Sequence, residues 1–305
     1  MDSGLGNVLL IGNPAAQSGN GARAIERALP LLRQALGDDR VVLARTVGPR
    51  HATDLAKRAE GADTVIALGG DGVIHEVANG LMQRDSFNRP ALGVVPVGSG
   101  NDFARSLGMS FKVEQACDQI LRGQPSPIDV GHANGQWYVE TLSFGLDAAI
   151  ALDTMERRKK SGRSGTALYM ESGFDQLLNH LDSYGYTASF DGSEPVSGQS
   201  ITFAVQNGPY YGGGFKICPD ARLDDGVLDL CIAHPPVGVA KAVYLFLRAK
   251  NGGHVGFKNI QSLRCTTAHI EFEQAPPAQI DGEKIEGRTF DIRLDPASLR
   301  VVRPS

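Results

Sequence analysis

At residues 67–79 the chain reads ALGGDGVIHEVAN, a join that few folds accommodate. An apolar, β-branched run, Thr64–Leu68, stops at Gly69-Gly70-Asp71-Gly72, and a helical pattern of Val73, Ile74, Val77 and Leu81 begins at once. This spacing predicts a strand, a glycine turn and a helix. Glycines let backbone approach a phosphate closely, and the first N–H groups of a new helix point at it. Asp71 is the informative residue. A carboxylate inside an anion-binding turn repels phosphate unless a cation lies between them. Asp71 is therefore read as organising Mg²⁺ and nucleotide phosphate, directly or through water. The same residues also suit a plain βα turn with Asp71 as an N-cap.

The pattern recurs on both sides. Residues 7–13, NVLLIGN, predict a buried strand that ends in the small, polar loop Asn13–Gly21. Ala22, Ile25, Leu29, Leu32 and Leu36 follow at helical spacing, with Pro30 expected to kink or split that helix. No lysine follows these glycines, so the loop is not a Walker A sequence. Val41–Thr46 predicts a strand, with Thr46 at its carboxyl end, where ligands gather in open α/β sheets. Ala91–Val97 is a third buried strand, ending in Gly98-Ser99-Gly100-Asn101-Asp102 before a helix that contains Phe103 and Leu107. Such βα alternation predicts an α/β N-terminal domain with a parallel sheet flanked by helices. Three glycine-rich turns would then lie along one edge of that sheet.

After the helix Phe111–Arg122, Gly123-Gln124-Pro125-Ser126-Pro127 reads as a domain boundary. Residues 1–125 are assigned to the nucleotide-binding domain and residues 126–305 to a β-rich domain, whose last strand is allowed to return to the first. Short strands between turn residues, from Ile128–His132 to Leu299–Val302, predict a C-terminal β-sandwich-like domain. Helical insertions are expected near Leu146–Arg158, Ala167–Leu181 and Val237–Lys250.

Bulk properties narrow the class. The chain has 305 residues, 42% hydrophobic and 21% charged, enough for two cores. A net charge of −4 gives no electrostatic reason to expect nucleic acid. Cys117, Cys218, Cys231 and Cys265 form no CxxC pair, so they read as reduced, mostly buried thiols of a cytoplasmic protein. Seven scattered histidines without an HxxxH pair suggest no metal site, and His75 reads as a packing residue. The N-terminus has no basic region before its short apolar run, so neither a signal peptide nor a membrane-spanning helix is expected.

Four ordered blocks then carry a resemblance. GGDG at 69–72, GVVPVGSGNDFARSLG at 93–108, YYGGGFKICPDARLDDGVLDL at 210–230 and DGE at 281–283 together resemble the bacterial diacylglycerol-kinase-like lipid kinases. These are relatives of sphingosine kinases and, more distantly, of NAD kinases and phosphofructokinases. The resemblance runs from Asn13 to Glu283. It implies an α/β domain, a β-sandwich-like domain and a nucleotide cleft between them. It also implies ATP, Mg²⁺ and transfer of the γ-phosphoryl group to a lipid hydroxyl, with diacylglycerol the nearest substrate class. Carried over by motif, Asn13, Thr46, Gly69, Gly70, Asp71, Gly72 and Ser99 would line the ATP site, with Gly98 and Asn101 in the same turn as Ser99. Glu283 would be the catalytic base. The Asp224-Asp225-Gly226 turn would match a structural Mg²⁺ site, with the Asp225 carboxylate and the Arg222 and Val227 carbonyls as ligands.

The residues themselves agree with that chemistry and leave some choices open. Phosphoryl transfer needs in-line positioning and neutralised phosphate charge. It also needs a carboxylate to take the acceptor's proton, and Gly282 leaves Glu283 unhindered for that role. Asp281 could orient Glu283 or coordinate metal. Tyr210-Tyr211-Gly212-Gly213-Gly214 could shape an acceptor pocket or form a surface loop. The basic run Arg157-Arg158-Lys159-Lys160 is either a solvated helix end or a transient contact with anionic headgroups. Two alternatives to a lipid kinase stand: an NAD or other small-molecule kinase of the same superfamily, and a non-catalytic nucleotide- or lipid-binding regulator.

Overall fold

The computed structural model describes residues 4–163 and 165–304. It divides into two compact units, residues 1–130 with 296–305, and residues 131–295.

In unit 1, apolar runs too short to be helices form a parallel sheet, and the amphipathic segments between them cover its faces. The order of elements is β1 (Val8–Gly12), α1 (Ala16–Leu36), β2 (Val41–Arg45), α2 (His51–Lys57), β3 (Thr64–Gly69), α3 (Asp71–Met82), β4 (Ala91–Pro96), α4 (Asp102–Ser106) and α5 (Val113–Arg122). The strands lie in the order β2-β1-β3-β4. Register aligns their carboxyl ends: Gly12 is opposite Arg45 and Leu68, and Gly69 is opposite Pro96. β3 and β4 are buried along their whole length, as a central parallel strand requires. The returning C-terminal segment adds a parallel neighbour to β4, with Val301 opposite Leu92.

Two local expectations shift. α1 starts at Ala16, inside the stretch read as loop, and Pro30 sits within it without splitting it. Its first turn is irregular, with φ of 46° at Gln17 and 97° at Gly19. The Gly123–Pro127 stretch read as a domain boundary is largely strand, because β5 (Gln124–Ala133) starts at Gln124.

Unit 2 is antiparallel. It contains the end of β5, then β6 (Gln136–Tyr138), β7 (Thr141–Gly145), α6 (Leu146–Ser161), α7 (Thr166–Asn179), β8 (Tyr184–Phe190), β9 (Val196–Ser200) and β10 (Thr202–Gln206). Next come β11 (Tyr210–Tyr211), β12 (Phe215–Lys216), β13 (Leu228–Ala233), α8 (Val239–Ala249), β14 (Ile260–Cys265), β15 (Thr267–Phe272), β16 (Ala278–Ile280), β17 (Glu283–Lys284) and β18 (Thr289–Arg303). One sheet runs β14-β13-β10-β7-β16-β17; a second runs from β18 through β15 and β8 to β9. Phe144 and Phe203 from the first sheet pack against Tyr186, Phe272 and Phe290 from the second, with ring centroids 4.5–6.3 Å apart. That aromatic layer is the sandwich core. Strand alternation sends Phe203 and Val205 into it and turns Ala204 the other way, toward the helices.

Candidate active site

The glycine turns of unit 1 are built against one another. A Cβ on Gly98 would come within 2.5 Å of the Gly70 Cα, and a Cβ on Gly70 within 3.1 Å of the Gly98 Cα. Only glycine at both positions lets the turns after β3 and β4 close to this distance. Asp71 then ties them together. The Asn101 N–H donates to its Oδ2 at 2.7 Å, and the Asp102 N–H donates to its Oδ1 at 2.8 Å. A carboxylate here satisfies amides at the start of α4. Asn101 adopts a left-handed φ of 56°, and its Nδ2 donates to the Gly98 carbonyl at 3.0 Å. Its Oδ1 is buried with no hydrogen-bond partner.

The turn after β1 reaches the same place. Gln17 Nε2 donates to the Gly98 carbonyl at 2.6 Å. The Asn13 side chain accepts from the Ala15 N–H at 2.9 Å, an Asx turn that fixes the exit from β1. The Asn13 N–H pairs with the Leu68 carbonyl and the Val97 N–H with the Gly69 carbonyl. Thr46 leaves β2 beside Gly12, to whose carbonyl its N–H donates at 2.9 Å. Asn13, Gly69–Gly72 and Gly98–Asn101 are thus linked around the carboxyl ends of β1, β3 and β4, with Thr46 at the end of the neighbouring β2. Gln17 and Asp102 belong to this cluster and were not singled out from the sequence. Asp102 was legible only as the residue that opens a helix after a glycine turn.

Asp281 and Glu283 separate cleanly. Asp281-Gly282 is the two-residue turn of the β16–β17 hairpin, with φ of 45° and 89° and Ile280 opposite Glu283. Two positive φ values mark a type I′ turn, for which Asp-Gly is a preferred pair. The buried Asp281 carboxylate accepts from the N–H groups of Val139 (2.8 Å), Glu140 (3.0 Å) and Thr141 (2.9 Å). It is a clamp on the loop before β7. Glu283 is exposed on the hairpin.

The Asp224-Asp225-Gly226 turn precedes β13. Asp225 is exposed, and Arg222 pairs with Asp224 at 3.5 Å. Among the described residues no three His, Cys, Asp or Glu side chains gather to hold a metal. The basic run on α6 is divided. Arg157 is half-buried and committed to Asp153 (2.6 Å), Glu171 (3.4 Å) and Asp175, so it is not a free cation. Lys160 pairs loosely with Glu156 at 3.6 Å, and Arg158, Lys159 and Lys160 are exposed. All four cysteines are unbridged and buried. His75 is buried within α3, against Asn79.

Unit 2 also contains a cavity of about 80 Å³, walled by Leu146, Ile150, Leu177, Leu245, Phe246 and Ile260 among others. Thr202, Cys231 and Ala233, small residues on the helix-facing side of β10 and β13, leave the space for it. Asp147, Tyr211 and His254 bring the other polar atoms into its lining. Burial pushes the Asp147 carboxyl up to about 7, against opposing help from the Ser143 hydroxyl and the Ala148 amide. Burial holds His254 below the ordinary histidine range. α7 and α8 also leave Phe174, Leu178, Tyr244 and Leu247 exposed.

Residues 7–133 match the model of the diacylglycerol kinase catalytic domain, and residues 140–303 match the YegS C-terminal NAD kinase β-sandwich-like domain. A Bacillus subtilis (strain 168) protein named diacylglycerol kinase is 33% identical over 76% of this chain and 75% of its own. The chain belongs to the diacylglycerol-kinase-like lipid kinase family. A Chromohalobacter salexigens relative named "Probable lipid kinase YegS-like" is 31% identical over 90% of this chain and 89% of its own. Two structures from Bacillus anthracis str. Sterne, both named for diacylglycerol kinase, superpose with TM-scores of 0.81 and 0.74. They are 25% and 23% identical, and each comparison covers 98% of this chain and 97% of the other. An Archaeoglobus fulgidus NAD kinase shares the fold at a TM-score of 0.50 and 12% identity, over 98% of this chain and 93% of its own. This lipid kinase family therefore accounts for the parallel unit, the sandwich and the GGDG turn together.

Proposed function

We propose that the chain transfers the γ-phosphoryl group of ATP to a lipid hydroxyl, with diacylglycerol as the nearest substrate class. The observation that carries the lipid half of this reading is the cavity of unit 2. Its wall is almost wholly apolar, which suits an alkyl chain and not a nucleotide or a sugar. The nucleotide half rests on the paired glycine turns at the carboxyl ends of parallel strands, where backbone can approach phosphate.

The donor atoms of the turns fit a divalent ion. Asn101 Oδ1 is a buried oxygen without a hydrogen bond, on a residue whose N–H donates to the Asp71 carboxylate, and hard cations take oxygen ligands. Asp71 and Asn101 would hold Mg²⁺ with the nucleotide, and the ion would neutralise phosphate charge. A second ion suits the Asp225 carboxylate with the Arg222 and Val227 carbonyls. Asp225 and Asp220 add to the burial that holds the Asp229 carboxyl above its ordinary value, a crowding of negative charge that a cation would relieve. Glu283 takes the acceptor's proton as the lipid oxygen bonds to the γ-phosphorus and the bond to the departing ADP breaks. A lipid acceptor also requires contact with a membrane surface, for which Arg158, Lys159 and Lys160 are exposed.

Incubation with γ-labelled ATP, Mg²⁺ and mixed micelles of single lipids tests this reading. Label should move to a lipid alcohol and should be lost in Glu283→Ala and Asp71→Ala. Label that reaches NAD but no lipid would overturn it.

A further inference from the structure

Asp147 is the feature that the reaction above does not use. It stands at the start of α6, 3% exposed, inside an otherwise apolar stretch. Neither carboxyl oxygen has a hydrogen bond of ordinary geometry, although the Ser143 hydroxyl and the Ala148 amide are near enough to favour its charged form, and both oxygens are shielded from solvent. A buried carboxyl so poorly satisfied is costly in an apolar core. The residue also lines the cavity, which at about 80 Å³ has several times the roughly 10–15 Å³ that one water needs. His254, 2% exposed, lines the same cavity with its Nε2 3.6 Å from the Cys231 Sγ. The cavity therefore has an apolar wall into which Asp147, Tyr211 and His254 bring polar atoms, Asp147 being its one carboxyl.

The protonation state narrows the ligand. Burial brings Asp147 to a value near neutrality, so both forms are populated at working pH. The ionised form only accepts hydrogen bonds, and the protonated form both donates and accepts. A hydroxyl does both and satisfies either form. An ester carbonyl can pair only with the protonated form. A carboxylate head would place like charges together in a dry site.

We infer that the unit 2 cavity binds the acceptor lipid where its alkyl chain meets a free hydroxyl of the head, and that Asp147 is the specificity residue that hydrogen-bonds that hydroxyl. The inference rests on the lipid-kinase reading and sharpens it. Glu283 acts on the hydroxyl that is phosphorylated, so Asp147 reads a second one. The preferred acceptor is then a lipid with two hydroxyls, such as a monoacylglycerol, over diacylglycerol, which has one. Asp147 takes no part in the transfer itself.

The test is equilibrium binding to the full chain without ATP. A fluorescent long-chain alcohol is displaced by a monoacylglycerol, or by the same molecule with both hydroxyls methylated. The native chain should prefer the hydroxyl form by about tenfold or more. Asp147→Leu should reduce the preference below twofold, and Ala242→Phe, which fills the cavity, should abolish binding of both. Should Asp147→Leu not fold, the native chain with ¹³C-labelled aspartate carboxyls carries the test. One buried carboxyl resonance should shift with the monoacylglycerol and not with its ether.

Equal affinity for the two, or a preference that survives Asp147→Leu, overturns the inference. So does binding that survives Ala242→Phe, or a buried carboxyl blind to both ligands, as a site filled by water alone would give. None of these outcomes bears on phosphoryl transfer, which the labelled-ATP assay scores separately. Transfer to diacylglycerol with no response at Asp147 would leave the kinase reading intact and remove this one.

Discussion

Gly98 has no room for a side chain. An added Cβ would lie 2.5 Å from the Gly70 Cα and 2.6 Å from Asn101 Oδ1, and the first of these is backbone. Gly98→Ala must push the two turns apart, at about 1–3 kcal/mol in stability by analogy with overpacking. Its larger effect should be on nucleotide affinity, weakened tenfold or more in a titration with ATP, while lipid binding stays unchanged. Asp147 supports a prediction of opposite character. Its ordinary value of 3.8 rises to about 7 in the fold, so between those limits the native chain holds a proton that the unfolded chain has released. Its contribution to stability is therefore fully present below about pH 4, falls as pH rises, and is lost above about 7. The drop in thermal midpoint from pH 5 to pH 8 should be smaller in Asp147→Asn than in the native chain; an equal drop would refute the assignment. These residues differ in legibility. Asp71 announces itself because a carboxylate among glycines that suit a phosphate needs explanation. Asp147 is one acid in an apolar run, and its meaning depends on β10, β13 and α8, which are distant in sequence.

Among the elements, the β16–β17 hairpin shows how one dipeptide can be read two ways. Asp-Gly before Glu283 is legible as a turn, and it is one. What the sequence leaves open is the role of Asp281, because its three amide partners come from residues 139–141. Hydrogen bonds to a charged group are each worth about 1.5–3 kcal/mol. Asp281→Ala should therefore destabilise unit 2 by about 3 kcal/mol or more in a denaturant titration. Glu283→Ala, on the exposed strand of the same hairpin, should cost less than 0.5 kcal/mol by the usual standard of surface sites. The helices make a second case. The basic run at 157–160 is conspicuous in sequence, yet Arg157 is spent on three carboxylates. The exposed Leu178 (61%) and Tyr244 (50%) of α7 and α8 are invisible as a surface until the two helices pack together. If α7 and α8 meet the membrane, Leu178→Ser with Tyr244→Ser should lower sedimentation with anionic vesicles several-fold at fixed salt. Arg157→Ala should change it little.

At the scale of the molecule, the fold was legible because its two rhythms differ. Unit 1 alternates strand and helix and closes β1, β3 and β4 on glycine turns. Unit 2 has mostly short strands, with period-two burial on β15 and β18, broken by helices. The return of the chain to unit 1 at residues 296–305 was only allowed for, since Leu299–Val302 looks like any other buried strand. The unit 2 cavity was not legible at all. Its wall is drawn from residues 146–260, and no two neighbouring lining residues form a motif. This division has a consequence for variants. The glycine turns lie in unit 1, and the cavity and Glu283 lie in unit 2, so on the proposed reading binding and chemistry should come apart. Glu283→Ala should bind ATP and lipid as the native chain does, because Glu283 is exposed and supports neither the turns nor the cavity wall. Its turnover should fall by about 10²–10⁴-fold, the usual loss of a general base. Asp71→Ala should instead lose ATP affinity, because Asn101 and Asp102 lose the carboxylate that positions their turn. Its lipid affinity should be native. Calorimetric titration of each variant with ATP and with lipid, read beside the rate of label transfer, separates the two. A Glu283→Ala protein that keeps its turnover would remove the base. One that loses ATP affinity would show that the hairpin serves the nucleotide and not the acceptor.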